Sequence, residues 1–377
     1  MGRAGTYRRQ PGGFDAFIPA PLPPDPRVVI DEEMQRLLSK ADRALGRLDG
    51  SIQTLPDPDL FVFMYVRKEA VLSSQIEGTQ SSLNDLLAVE ARITDPSIPR
   101  DVNEVLNYVK AMNYGLERLN DLPVSVRLIR EIHERLLTGV RGDRSRPGEL
   151  RTSQNWIGPL GGSLADAAFV PPPPHEVPQA MSDLERYLHD DEDLPTLVRF
   201  GLAHGQFETI HPFLDGNGRV GRLMITLLLC EKEILLKPVL YLSYYFKRNR
   251  AEYYDRLQAI RDDGDWEGWL KFFLRGVAEV SNQATETARK IVALREEHRN
   301  LIAQEFGGRA GNGMLVLERL YKRPIISVNW AAELTGLTYP AANTLISMME
   351  RAGILREYTG QARNRRFRYD GYISLFD

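Results

Sequence analysis

Residues 211–222 read HPFLDGNGRVGR, and the apolar run LMITLLLC follows at once. The segment before it, LVRFGLAHGQFETI, places Leu197, Phe200, Ala203, Phe207 and Ile210 at spacings of three and four. That is a helical stripe, so a helix, not a strand, leads into the glycines. The distinction decides the fold. GNGRVG has the G-x-G-x-x-G spacing of a dinucleotide fingerprint, but that fingerprint opens a helix after a strand. GNGRVGRL also misses the P-loop, because Arg222 and Leu223 stand where Lys and Ser/Thr belong. Counted from Asp215 as a calcium loop, Val220 replaces the obligatory glycine and Thr226 the final glutamate.

What remains is a tight turn, Asp215-Gly216-Asn217-Gly218, between two helices. Glycines at such a turn let successive N–H groups converge on an anion, and the new helix adds its free amides and positive end. Arg219 and Arg222, three apart, share a face and can fork onto phosphate oxygens. Asp215 is a hard oxygen ligand suited to Mg²⁺ beside those phosphates. His211 can take a proton near neutral pH. Together these groups point to transfer of a phosphate-containing group.

The stretch resembles the Fic motif, H-x-F-x-[DE]-G-N-G-R-x-x-R, at every defined position, and the resemblance extends over about residues 30–300. It implies a mainly α fold, a Fic helical core with a short β-hairpin flap. It also implies Mg²⁺-dependent transfer of AMP from ATP to a hydroxyl side chain of a target protein. By motif position, His211 would be the general base and Phe213 the anchor of the loop. Asp215 would hold Mg²⁺. Gly216, Asn217 and Gly218 would bind the phosphates, with Asn217 near the α-phosphate, and Arg219 and Arg222 would hold the distal ones.

Far upstream, LSSQIEGTQ (72–80) resembles the family's inhibitory signature, [ST]-x-x-x-E-[GN], with Ser73, Glu77 and Gly78 in place. The implied role is autoinhibition in the same chain. Glu77 would pair with Arg222 and put a carboxylate where γ-phosphate oxygens belong. In some family members this glutamate instead positions a water that removes AMP, so addition and removal both stay open. NWIGPLGGSLADAAFVPPPP (155–174) matches the family's flap, against which a target segment can add as a strand; Trp156 and Ile157 are candidates to clamp it. Tyr253 and Tyr254 resemble positions around the nucleotide base, and Arg261 falls where a family member can carry an adenine-contacting asparagine.

The rest of the chain sets the frame. At 377 residues it is long for one domain. An extended Pro/Gly-rich arm is expected over 1–30 and an N-terminal helical region with the inhibitory helix over 31–120. The catalytic core is expected over 121–300, a linker over 301–313 and a winged-helix-like domain over 314–377. Within the first helical region the break falls at LPDPD (55–59), and a single helix is read over about 247–262. Helix, glycine turn, helix and a hairpin-like end carry the winged-helix reading. Arg356, Arg363, Arg365, Arg366 and Arg368 near its wing could track a DNA backbone, and protein docking is the other reading. Net charge is only −3, so charge arguments must be local. Cys230 is the one cysteine, which excludes an intrachain disulfide and a multi-cysteine zinc site. No apolar run spans a bilayer and no secretory segment is read, so a soluble cytoplasmic protein with no membrane partner is expected. A homodimer is left open. A DNA-binding regulator whose Fic core only senses nucleotide competes with the enzyme, but a pure sensor has no use for the base His211.

Overall fold

The computed structural model describes residues 2–53, 58–93, 96–158, 163–190, 193–361 and 363–376. The chain begins with a hairpin, β1 (Gly5–Arg9) and β2 (Asp15–Pro19), in antiparallel register from Gly5↔Pro19 to Arg9↔Asp15. The expected extended arm pairs with itself in a two-stranded ladder. Its turn closes because Gly13 takes φ 82° while its N–H donates to the Gln10 carbonyl. Ala16 and Phe17, adjacent in β2, are both buried, Phe17 to 1% exposure.

Helices then follow: α1 (Glu32–Gln53), α2 (Pro58–Ile76), α3 (Leu83–Glu90), α4 (Val102–Arg118) and α5 (Val126–Leu137). After a long irregular stretch come α6 (Val177–His189), α7 (Thr196–Ile210), α8 (Asn217–Glu231), α9 (Ser243–Arg248), α10 (Arg250–Asp263) and α11 (Trp266–Glu305). Asp31 caps α1 by accepting the Met34 N–H at 2.8 Å. The LPDPD break lies mostly outside the described residues, since 54–57 are not among them. The single helix read over 247–262 is two, α9 and α10, separated at Asn249 (φ −110°).

α7 and α8 are buried on nearly every face because they run through the middle of the core. Gly201 and Gly205 allow α11 to close on α7. A Cβ at Gly201 would lie 2.7 Å from Leu270, and one at Gly205 3.0 Å from Trp266. Trp266, Trp269, Phe272 and Phe273 fill that seam. Each large buried side chain of this kind contributes roughly 1.5–3 kcal/mol.

The linker expected over 301–313 is mostly helix. α11 runs on to Glu305, a single 3₁₀ turn covers Gly307–Arg309, and α12 (Ala310–Leu320) starts directly. Gly307, at φ 50°, and Gly308 lie in that turn, and Gly311 and Gly313 fall inside α12. Beyond α12 lie β3 (Ile325–Ser327), α13 (Val328–Thr335), α14 (Tyr339–Arg351), β4 (Arg356–Glu357), β5 (Arg366–Arg368) and α15 (Asp370–Ile373). The three strands form an antiparallel sheet in the order β3-β5-β4, with Ile325 and Arg356 both opposite Arg368. Residue 362, at the tip between β4 and β5, lies outside the described residues.

This C-terminal unit seats on α2. Phe61 stacks on Tyr321 at 6.2 Å, and Phe376 meets Tyr65 edge-on at 5.2 Å. Lys68 Nζ donates to the Phe376 carbonyl, and Arg368 reaches Asn84 at 3.1 Å. No helix among the described residues is long and apolar enough to cross a membrane.

Candidate active site

The loop between α7 and α8 is held from outside itself. His211 leaves α7 in a left-handed conformation (φ 49°), its N–H still bonded to the Phe207 carbonyl. Arg151 Nε and Asn155 Nδ2 donate to the His211 carbonyl at 2.9 and 3.4 Å. Phe213 is fully buried and stacks on His133, ring centroids 3.7 Å apart and 7° from parallel. His133 also sets its own tautomer. The Gly148 N–H donates to Nδ1 at 2.9 Å, so Nε2 carries the proton and donates to the Asp215 carbonyl, also at 2.9 Å. Burial holds this imidazole neutral, its pKa pushed down to about 4.

Gly216 (φ 80°) makes the turn into α8. Val220 is the first residue to bond back, to the Gly216 carbonyl. The N–H groups of Asn217, Gly218 and Arg219 therefore stay outside the helix ladder and are free for an anion. Asn217 differs from its expected role near the α-phosphate. Its side chain is consumed inside the loop, Oδ1 accepting the Phe213 N–H and Nδ2 donating to the Phe213 carbonyl, both at 2.8 Å. What it can offer an anion is its backbone.

The two arginines of the loop go to different acids. Arg219, 1% exposed, donates to Glu104 Oε2 of α4 at 3.0 Å and lies 3.6 Å from Asp215 Oδ1. Arg222 is clamped by α2: Nε donates to Ser73 Oγ at 2.9 Å, and Nη2 to the Ser73 carbonyl at 2.9 Å and to Glu77 Oε1 at 2.6 Å. Burial opposes ionisation of Glu77, but Arg222 prevails and its carboxyl is held below the usual value. Gly218 gives this carboxylate its room, since a Cβ there would run into Glu77 Oε1. Gly78 (φ 97°) turns the chain away just after.

A cavity of about 440 Å³ opens beside the clamp, lined among others by Glu77, His211, Gly218, Arg222, Trp156 and Tyr254. Trp156 and Ile157 thus reach the same space as His211 and Arg222. The flap is less than the hairpin expected: a single bridge joins Ile157 to Phe169, and its tip, 159–162, lies outside the described residues. The Phe17 N–H of β2 donates to Val170 at 2.9 Å, so the N-terminal hairpin backs the flap. Tyr253 is a wall residue with its hydroxyl committed. His204 Nδ1 donates to the Gly221 carbonyl, so Nε2 accepts the Tyr253 O–H at 2.9 Å. Tyr254, 38% exposed, is the tyrosine that offers a face to a ligand. Arg261 is buried over the Phe169 ring at 3.8 Å and donates to the Glu208 carbonyl, Thr209 and Gln258.

The imidazole of His211 is neutral, pushed down to about 3 by burial and by Arg261 and Arg151. At that value the ring is unprotonated but resists taking a proton while both guanidiniums face it. Glu104, His133, Arg151, Asn155 and Glu208 are the residues that sequence reading missed. Their one signal is polarity on the buried stripe of an amphipathic segment, as with Glu104 beside Val105 and Tyr108.

The helical core thus holds a neutral histidine beside a helix start whose first N–H groups are unbonded. The Fic/DOC family N-terminal profile matches residues 35–117, and the Fic/DOC family profile matches residues 123–229. The chain belongs to the Fic/DOC family. It is 30% identical over 239 residues to the protein adenylyltransferase Fic of Culex quinquefasciatus, covering 62% of this chain and 42% of that one. To the protein of the same name from Aedes aegypti it is 33% identical over 213 residues, covering 55% and 37%. The chain thus spans less than half the length of these curated relatives. A Fic family protein from Desulfovibrio desulfuricans G20 has a similar fold, with a TM-score of 0.58 at 21% identity over 91% of this chain and 97% of that one.

Proposed function

We propose that the protein is a self-inhibited protein adenylyltransferase that moves AMP from ATP to a hydroxyl side chain of a target protein, itself included. The observation that carries this reading is the 2.6 Å contact between Glu77 and Arg222, beside a helix start whose backbone N–H groups are free for phosphates. The N–H groups of Asn217, Gly218 and Arg219, with Arg222 once released, hold the phosphate chain. His211 accepts the proton of the target hydroxyl. The oxygen attacks the α-phosphorus, the bond to the β-phosphate oxygen breaks, and pyrophosphate leaves. Most of the acceleration in such a step comes from positioning and charge neutralisation. Glu77 blocks it by occupying Arg222 and repelling the distal phosphate.

The loop fits Mg²⁺. Asp215 Oδ1 accepts the Gly216 N–H at 2.6 Å, leaving Oδ2 for a cation that draws its other ligands from phosphates and water. Bound there, the ion would neutralise phosphate charge. Trp156, Ile157 and the Phe169 segment receive the target strand.

Replacing Glu77 by Gly frees a charge-assisted bond of roughly 1.5–3 kcal/mol, so incorporation of labelled ATP rises by about 10-fold or more. Adding His211→Ala abolishes it. No incorporation by Glu77→Gly in a cell lysate rules the transferase out, and loss of label from a pre-adenylylated target by the wild type would favour AMP removal.

The wing-like end reads as a docking module more readily than as a DNA reader. Arg356 and Arg368 both turn to Asp370, and Arg365 to Asn343, which removes three of the five arginines from a backbone-tracking role. Salt-dependent binding of duplex DNA would restore the regulator reading.

A further inference from the structure

We propose that Glu208 is a positioning residue of the reaction centre, a carboxylate that holds the ring proton of His211 on Nδ1 and leaves Nε2 bare toward the target hydroxyl. The proposal rests on the transferase reading of this cavity.

Glu208 sits in the last turn of α7, three residues before His211. The left-handed exit of His211 folds its ring back over that turn, which brings Nδ1 to 3.9 Å from Glu208 Oε2. This is longer than a hydrogen bond, as catalytic pairs without substrate often are. His211 Nδ1 and Glu208 Oε1 are buried polar atoms with no hydrogen bond of good geometry, and the Glu208 main chain is the ring's other hydrogen-bonding neighbour. A glutamate 5% exposed in a cavity wall, with one oxygen unpaired, is costly and calls for a reason. The fold makes room for it. Gly221 of α8 is not a defined position of the loop motif, yet a Cβ there would lie 2.5 Å from Glu208 Oε1.

The charges around His211 explain the need. Arg151 presses on it from the segment after α5, and Arg261 from α10. Both guanidiniums oppose a positive ring. A base that must become imidazolium between two cations requires a negative group at its other nitrogen. Glu77, just past the end of α2, also bears on the ring, but under the inhibitory reading it must leave Arg222 before reaction. Arg222 faces from α8, and Tyr253 and Tyr254 from α10. Glu208 is the acid that remains.

Burial raises the Glu208 carboxyl to about 7, Glu77 adds to the rise, and Arg222 and Arg261 oppose it. Below that pH the protonated acid can donate to Nδ1, and the ring proton moves to Nε2, where it disables the base. Above it the carboxylate accepts from Nδ1. Transfer therefore rises with pH as Glu208 ionises, and removing Glu77 moves the rise to lower pH.

Two measurements test this. In Glu77→Gly protein, kcat for adenylyl transfer should rise with pH. Adding Glu208→Gln, which keeps an acceptor but not the charge, should remove the rise and lower kcat about 10²-fold or more, with KM for ATP within about 2-fold. An unchanged limb and an unchanged kcat overturn the proposal. Independently, ¹⁵N NMR of histidine-labelled wild type at pH 8, with His211 assigned by its loss in His211→Ala, should place the proton on Nδ1. Glu208→Ala should shift it to Nε2. A proton on Nε2 in the wild type overturns the proposal, whether or not transfer is detected. A proton on Nδ1 with no transfer by Glu77→Gly leaves the pairing standing and removes the transferase reading.

Discussion

Glu104 and Glu77 each take one arginine of the same loop, and their surroundings make the difference. Glu104 is buried with Arg219, at 4% and 1% exposed, so this pair is structural. Glu77 keeps 30% of its side chain exposed beside the cavity, so it can leave. Removing one partner of a buried pair leaves a charge uncompensated, at a cost of roughly 3–5 kcal/mol. Glu104→Ala should therefore lower the midpoint of chemical unfolding strongly, whereas Glu77→Gly, which leaves Arg222 its two bonds to Ser73, should lower it less. Equal losses would mean that Glu77 also serves the fold. The loop and its upstream acid were legible because a spaced motif names them residue by residue. Glu104, His133 and Glu208 were not, because each is one polar residue on an otherwise ordinary buried face. Only three-dimensional pairing separates them from solvated neighbours.

Among the elements, α2 has two audiences. One end presents Ser73 and Glu77 to Arg222, while Phe61, Tyr65 and Lys68 receive the C-terminal unit. The helices could be placed from their periodicity. The N-terminal hairpin could not, because prolines and glycines announce an irregular chain equally well, and the ladder depends on Phe17 finding the flap. Phe17 stands 5.9 Å from Phe169, and its N–H bonds to Val170. Phe17→Ala should cost about 3–5 kcal/mol and speed amide exchange over residues 168–170. Exchange there at the wild-type rate would detach the hairpin from the flap. The linker was misread for a related reason: glycines mark a turn, but not how short it is when α11 and α12 pack directly.

At the scale of the whole molecule, the buried titratable groups set how stability follows pH. His133, His204 and His211 are held neutral, pushed down from 6.5 to about 4, 3 and 3. Below 6.5 the unfolded chain binds protons that the fold refuses, so stability falls as pH drops toward about 4. Glu69 and Glu208 oppose this, since each is raised from 4.5 to about 7 and the fold keeps its proton between those values. Three groups outweigh two, and the thermal midpoint should fall between pH 6.5 and pH 4.5. A flat or rising midpoint would mean that the histidines are charged in place.

The central claim is that one carboxylate just past the end of α2 holds the loop off by occupying Arg222. Adenylyl transfer read by intact mass, with Mg²⁺ and ATP, compares the wild type, Glu77→Gly and Glu77→Gly/His211→Ala most directly. The account predicts a trace of product, abundant product and none, in that order. Equal transfer by wild type and Glu77→Gly would contradict it.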